Sequence, residues 1–293
     1  MSNISSKEII IKYVEPKNLQ NIFKKREKNS HKGDFGTISI IGGNRGMEGS
    51  VLLAARTAIK IGSGKVLIGF TQKNIPITVD LIQPELMLQT ANQILKKFLI
   101  KIDTWIIGCG MGQNNISNNI LHKALSYIEN KNIVLDADAL NIISEQNTIY
   151  KNSSNTIIMT PHPSEAARLL KCTTKEIQSN RIKSAKKISK IYNSWTVLKG
   201  FETIISSPNG DILINTSGNP GLASSGTGDV LAGMIGSFLG QSNDIQQAIS
   251  GAVWLHGKAA EHLASIHKGP IGMTASELAE AAREILNQHS YQN

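Results

Sequence analysis

Short, almost uninterrupted apolar runs recur along this chain from Gly36 onward, and most are followed by a stretch of helical periodicity. The runs are TISIIG at 37–42, KVLIGF at 65–70, TWIIG at 104–108, NIVLD at 132–136, TIIMT at 156–160 and WTVL at 195–198. A strand with one wet face alternates apolar and polar residues. A run that is apolar throughout suits a strand buried on both faces, in a parallel sheet between helices. Helical patterns fall at 50–61, 116–129, 164–171, 175–192, 227–239, 244–266 and 274–287. Residues 202–206 and 211–214 flank Pro208-Asn209-Gly210 and predict a late hairpin. The pattern predicts one α/β domain over residues 1–293, with a mostly parallel central sheet and helices on both faces. Ligands of such sheets bind at the C-terminal strand ends.

The bulk of the chain narrows the function classes. With 293 residues and 40% hydrophobic content it can bury a sizeable core. No apolar run is long enough to cross a bilayer, and no signal peptide is visible. Cys109 and Cys172 form no CxxC pair, which fits a reduced, cytoplasmic protein without a thiolate metal site. Residues 1–32 read as a basic leader holding a helix or two. Within 7–32, eight basic residues face three acidic ones, which is +5 of the net +9. No aromatic interleaving or nucleic-acid motif accompanies that charge, so a solvated segment is favoured over a nucleic-acid patch.

The loop Asn219-Pro220-Gly221-Leu222-Ala223-Ser224-Ser225-Gly226-Thr227-Gly228-Asp229 runs straight into an apolar helix. Small residues let backbone N–H groups approach an anion, and a helix N-terminus adds its positive dipole end. Asp229 then stands where it can take a proton from a hydroxyl beside a bound phosphate. Together these features read as a phosphoryl-transfer site; a Gly-rich turn with Asp229 as a helix-start residue is the alternative.

Two prolines fix His162 at a strand end in Thr160-Pro161-His162-Pro163-Ser164-Glu165. Here a ligand-binding His and a carboxylate holding Mg²⁺ through water compete with a simple capping segment. No second His at ligand spacing lies near His162, which argues against metal ligation by it. Lys199-Gly200 ends another strand and suits a phosphate contact. In Asp136-Ala137-Asp138, Asp138 reads as a helix cap, while Asp136 stays open between orienting a hydroxyl and orienting a metal-bound water. Gly62-Ser63-Gly64-Lys65 imitates the end of a P-loop but lacks its first Gly and its final Ser or Thr.

In this order, these stretches resemble the ADP/ATP-dependent NAD(P)H-hydrate dehydratase family of the ribokinase-like superfold. Also carrying the likeness are His31-Lys32-Gly33-Asp34-Phe35-Gly36, Ile41-Gly42-Gly43-Asn44-Arg45-Gly46-Met47 and Pro84-Glu85-Leu86-Met87. The resemblance implies repair of the S-form of hydrated NAD(P)H by phosphorylation at the expense of ADP, with Mg²⁺. It implies that Ser50, the 42–49 loop, Gly110, Gly112, His162 and Asp229 contact the hydrated cofactor, with Asp229 as the base. Lys199, Gly200, Phe201, Glu202, Thr203, Gly226 and Gly228 would contact ADP or AMP, and Glu165 would hold the metal through water. Ser50 stands where Ala is common in the family. Cys109 and Met111 replace the usual Pro and Leu, and Phe201 and Glu202 replace small residues. The short stretch before the first motif leaves no room for the epimerase domain that many relatives carry. By analogy with relatives the chain would form a homo-oligomer, a tetramer. A sugar or vitamin kinase on the same fold is the alternative, and it would release a stable phosphorylated product.

Overall fold

A computed structural model describes residues 11–146 and 154–291. The first ten residues of the leader, with Lys7 and Glu8, lie outside the described residues.

Among the described residues ten strands form one sheet: β1 (Ile11–Tyr13), β2 (Thr37–Gly42), β3 (Lys65–Phe70), β4 (Met87–Thr90), β5 (Thr104–Ile107), β6 (Asn132–Leu135), β7 (Thr156–Met159), β8 (Trp195–Leu198), β9 (Thr203–Ser206) and β10 (Ile212–Asn215). Their order is β1-β10-β9-β8-β7-β6-β5-β2-β3-β4. All neighbours pair in parallel except β8–β9 and β9–β10, the latter being the expected hairpin.

The helices are α1 (Glu48–Lys60), α2 (Ala91–Lys97), α3 (Asn115–Tyr127), α4 (Asp138–Gln146), α5 (Pro163–Leu170), α6 (Thr174–Ser179), α7 (Arg181–Tyr192), α8 (Thr227–Gln241), α9 (Ile245–Ile266) and α10 (Ala275–Tyr291). The strands bury side chains to both sides. Ile38, Ile40, Ile106 and Val134 join one core with α1, α8, α9 and α10. Ile41, Trp105, Ile107, Ile133 and Leu135 join a second core with α2 to α7. Two-sided burial is what the continuous apolar runs require, because successive residues point to opposite faces.

Three expectations change. Within residues 11–36 the leader holds strand β1, paired to β10, and two short 3₁₀ turns, at Pro16–Asn18 and Lys32–Phe35, with no α-helix among these described residues. Leu19 is buried in the core, and the Phe23 ring packs edge-on to Trp254 of α9 at 5.4 Å. Much of this segment is therefore attached to the body: its lysines stay exposed, as do Ile11 and Tyr13 of β1, while Leu19 is buried and Val14, Ile22 and Phe23 pack against the core. The helical pattern at 175–192 is two helices, because Asn180 leaves helical geometry (φ −141°, ψ 50°). Strand β4 and helix α2 are additional, and both lie toward the edge beside β3.

Candidate active site

Five connections at the C-terminal ends of parallel strands, those after β2, β5, β6, β7 and β8, gather near the N-terminus of α8. The loops after β2 and β5 are zipped together, with Gly43 N–H donating to Cys109 O (3.0 Å) and Asn44 N–H to Gly110 O (2.7 Å). Gly42 is obligatory at this crossing, because a Cβ there would stand 2.0 Å from Cys109 O. Gly226 caps α8 in the left-handed region (φ 83°), which glycine adopts without strain. Asp229 lies in the first turn of that helix.

Asp229 is mostly buried and hydrogen-bonded by the Ser50 hydroxyl from α1 and the Cys109 thiol. Burial pushes its carboxyl up to about 6, and the charge on Asp136 adds to the rise. A buried carboxylate beside a like charge is poised to accept a proton near neutral pH. The Cys109 thiol is fully buried, and burial and the two neighbouring carboxylates hold it well above its ordinary range, so it remains a hydrogen-bond donor.

Asp136 is 2% exposed and follows β6. Its Oδ1 accepts from Lys199 Nζ at 2.8 Å and from Thr160 Oγ1 at 2.7 Å. Burial opposes the charge on Lys199, but Asp136 and Glu165 outweigh it and raise its pKa. The ammonium lies against the α8 turn: a Cβ on Gly228 would be 3.5 Å from Lys199 Nζ. Asp136, left open by the sequence, is thus a member of this cluster.

His162 and Glu165 form a reciprocal cap on α5. His162 Nδ1 accepts from the Ser164 and Glu165 N–H groups (3.1 and 3.3 Å), and Glu165 Oε2 accepts from His162 N–H (2.7 Å). Burial, Lys199 and Arg168 lower the His162 pKa, so the ring is neutral. Glu165 is 4% exposed, with its pKa raised by burial, and lies 4.0 Å from Lys199. Capping and a place at the site therefore coexist in these residues. Asp138 departs from the expected cap: its carboxylate accepts from Gly112 N–H (2.8 Å) and Gln113 Nε2 (2.9 Å), fixing the loop after β5.

The remaining nucleotide-side candidates divide. Lys199 and Gly228 meet at the α8 turn, Gly200 lies against the Arg181 guanidinium of α7, and Thr203 opens β9 with its hydroxyl donating to Gly200 O (3.0 Å). Phe201, 88% exposed, and Glu202 instead line an open groove of about 1070 Å³ beside the basic helix α7. Sequence reasoning missed Cys109, Thr160, Arg181 and His256. Arg181 donates to Leu198 O (3.1 Å) and Lys199 O (3.4 Å), fixing the turn that carries Lys199. His256 is buried, and burial lowers it to about 4, so the neutral ring donates from Nε2 to Thr227 O (2.9 Å).

Hard oxygen donors at the cluster suit Mg²⁺, which binds oxygen. Cys109, Asp136 and Asp229 offer atoms within 4.8 Å of one another. That triad is a poor magnesium cage, since its thiol stays protonated and Asp136 is engaged by Lys199.

A doubly flanked, mostly parallel sheet, a glycine-capped helix start and a largely buried acid in its first turn define a ribokinase-like enzyme with the layout that phosphoryl chemistry uses. The NAD(P)H-hydrate dehydratase family profile matches residues 38–284, and the chain belongs to that family. It is 42% identical to the ADP-dependent (S)-NAD(P)H-hydrate dehydratase of Neisseria meningitidis serogroup B, over 92% of this chain and 90% of that one. It is 36% identical to the bifunctional NAD(P)H-hydrate repair enzyme of Escherichia coli K12, over 97% of this chain, and spans about half (54%) of that longer protein. Among solved structures, the ADP/ATP-dependent NAD(P)H-hydrate dehydratase from Bacillus subtilis, co-crystallized with ATP/Mg²⁺, superposes with a TM-score of 0.85. The two are 30% identical, and the match covers 95% of this chain and 99% of that one. No helix among the described residues is long and apolar enough to cross a membrane.

Proposed function

We propose that this protein is an ADP-dependent dehydratase that returns the S-form of hydrated NAD(P)H to NAD(P)H, releasing AMP and phosphate. The observation that carries the reading is a partly protonatable acid, Asp229, in the first turn of α8, with an ammonium from Lys199 lying against the adjacent Gly228. Family membership supplies the substrate class.

Hydroxide leaves poorly from C6 of the hydrated ring. Asp229 takes the proton of that hydroxyl as its oxygen attacks the β-phosphorus of ADP, and AMP departs. The phosphorylated carbon then loses phosphate as the ring nitrogen donates its electron pair, and loss of the C5 proton restores the ring double bond. Lys199 and the N–H groups at Gly226 and Gly228 oppose the charge that develops on the phosphoryl oxygens. Ser50 orients Asp229; Gly110, Gly112 and His162 bound the hydrated nicotinamide. Gly200, Phe201, Glu202 and Thr203 carry the adenine-nucleotide side. Glu165 would hold Mg²⁺ through water, and the bound ion would neutralise phosphate charge.

The same reading takes residues 1–293 as one dehydratase domain, working in the cytoplasm as a homo-oligomer. Incubation of the full chain with hydrated cofactor, ADP and Mg²⁺ should restore the reduced-nicotinamide absorbance. If hydrated cofactor stays unchanged with ADP or ATP while a sugar or vitamin alcohol is phosphorylated, the protein is a small-molecule kinase instead.

A further inference from the structure

Three buried or largely buried carboxylates, Asp136, Glu165 and Asp229, share one ammonium, Lys199. Where that ammonium settles decides which carboxylate is free to act as a base. The structure places it on Asp136, at 2.8 Å, with Glu165 at 4.0 Å. Yet Asp229 is close by: oxygens of Asp136 and Asp229 approach within 4.8 Å of each other, and Lys199 Nζ lies against Gly228. A shift of the flexible lysine head toward α8 would pair it with Asp229.

The position of Asp136 is strongly fixed. Its N–H donates to Ile107 O (3.1 Å), its carbonyl accepts from Ala139 N–H (3.1 Å), and Thr160 Oγ1 holds the carboxylate oxygen that receives Lys199. The lysine backbone is tethered as well, with Lys199 N–H donating to Pro161 O (2.9 Å) and Arg181 reaching its carbonyl. Two rigid strand ends therefore present a carboxylate and an ammonium to each other.

We infer that Asp136 is a positioning residue: it captures the Lys199 ammonium, keeps it on the phosphate side of the site and away from Asp229, and so leaves the Asp229 carboxylate free to take the hydroxyl proton. The assignment rests on the dehydratase reading for its chemistry, but the charge arrangement it describes is independent of turnover. The groups facing Asp229 are Asp136 and Lys199 as charges and Cys109 and Ser50 as hydrogen-bond donors.

The test is a cycle of D136N, K199Q and the double variant in the full chain. The Asp229 carboxyl titration is followed by NMR, and kcat, KM and the acid limb of the pH profile are measured alongside. D136N should lower the Asp229 titration midpoint by about one unit or more, the size expected when an opposite charge comes within reach. It should lower kcat by about tenfold or more while KM for ADP changes only a few-fold, since the ammonium is still present. K199Q should raise the Asp229 midpoint in both backgrounds, and by clearly more in D136N, where Asp136 no longer holds the ammonium. Equal effects of K199Q in both backgrounds would overturn the capture. Should D136N fail to fold, T160V removes only the hydroxyl bond to Asp136; it should shift Asp229 in the same direction by a smaller amount, and an unmoved midpoint would count against the proposal. Absence of dehydratase activity in the native protein would sink the functional reading, whereas the NMR cycle would still decide the charge arrangement.

Discussion

Replacing Asp229 by Asn should make the protein slower and more stable at once. The folded carboxyl titrates at about 6, against an ordinary value of 3.8. Because the folded pKa lies above the unfolded one, the folded state binds the proton more tightly. Ionising Asp229 therefore weakens the fold; the cost is absent below about pH 4 and fully present above about pH 6. A shift of roughly two units corresponds to on the order of 3 kcal/mol at neutral pH. D229N cannot ionise and keeps a shape that can still meet Ser50 and Cys109. At pH 7.5 its Tm should exceed that of the native protein by a few degrees, and the gap should close as pH falls toward 4. Turnover should drop by about 10²–10⁴-fold, the usual contribution of a general base. In the native enzyme kcat should fall about tenfold between pH 7 and pH 5, because a base titrating near 6 is mostly protonated at pH 5. Thermal scans and kinetic profiles across this range provide the check. A flat kcat down to pH 5, or a D229N protein that melts lower at neutral pH and turns over within a few-fold of native, would refute the reasoning.

Other consequences follow from the same geometry. His162→Ala should weaken hydrated cofactor more than adenine nucleotide in separate titrations. It also removes the α5 cap, at a cost of about 1 kcal/mol, so His162→Asn, which can still cap, is the companion that isolates ligand binding; equal losses for both ligands would reduce His162 to a cap. Gly228→Ala should leave the melting temperature nearly unchanged, since the new Cβ has 3.5 Å to its nearest neighbour, yet it should weaken ADP binding; calorimetry showing native affinity would move the phosphate away from this turn. Leu19→Ala should cost about 2–4 kcal/mol in urea unfolding, because Leu19 is 2% exposed within the core, whereas a free leader would show no change.

What the sequence revealed follows from which signals are local. The six central parallel strands and the hairpin were legible because two-sided burial writes itself as continuous apolar runs. Edge strands β1 (IKY) and β4 (MLQT) were not: β1 is exposed along its length, β4 has an exposed start, and both are short, so their residues show neither pattern. The break at Asn180 carries no Gly or Pro to announce it. In the site, Asp229 and Lys199 were readable from loop composition and strand ends. Asp136 was not assignable, because its partner Lys199 lies 63 residues away and only the sheet brings them together. Cys109 meets Asp229 for the same reason, across the crossing of two loops.

The central claim is that the C6 hydroxyl leaves as phosphate. The most direct test is to prepare the hydrated cofactor with heavy oxygen at C6, run the reaction with ADP and Mg²⁺, and weigh the released phosphate by mass spectrometry. The hydroxyl oxygen attacks phosphorus and stays bonded to it, so the label should appear in inorganic phosphate as the reduced-nicotinamide absorbance returns. Label recovered in water while the absorbance returns would contradict the account.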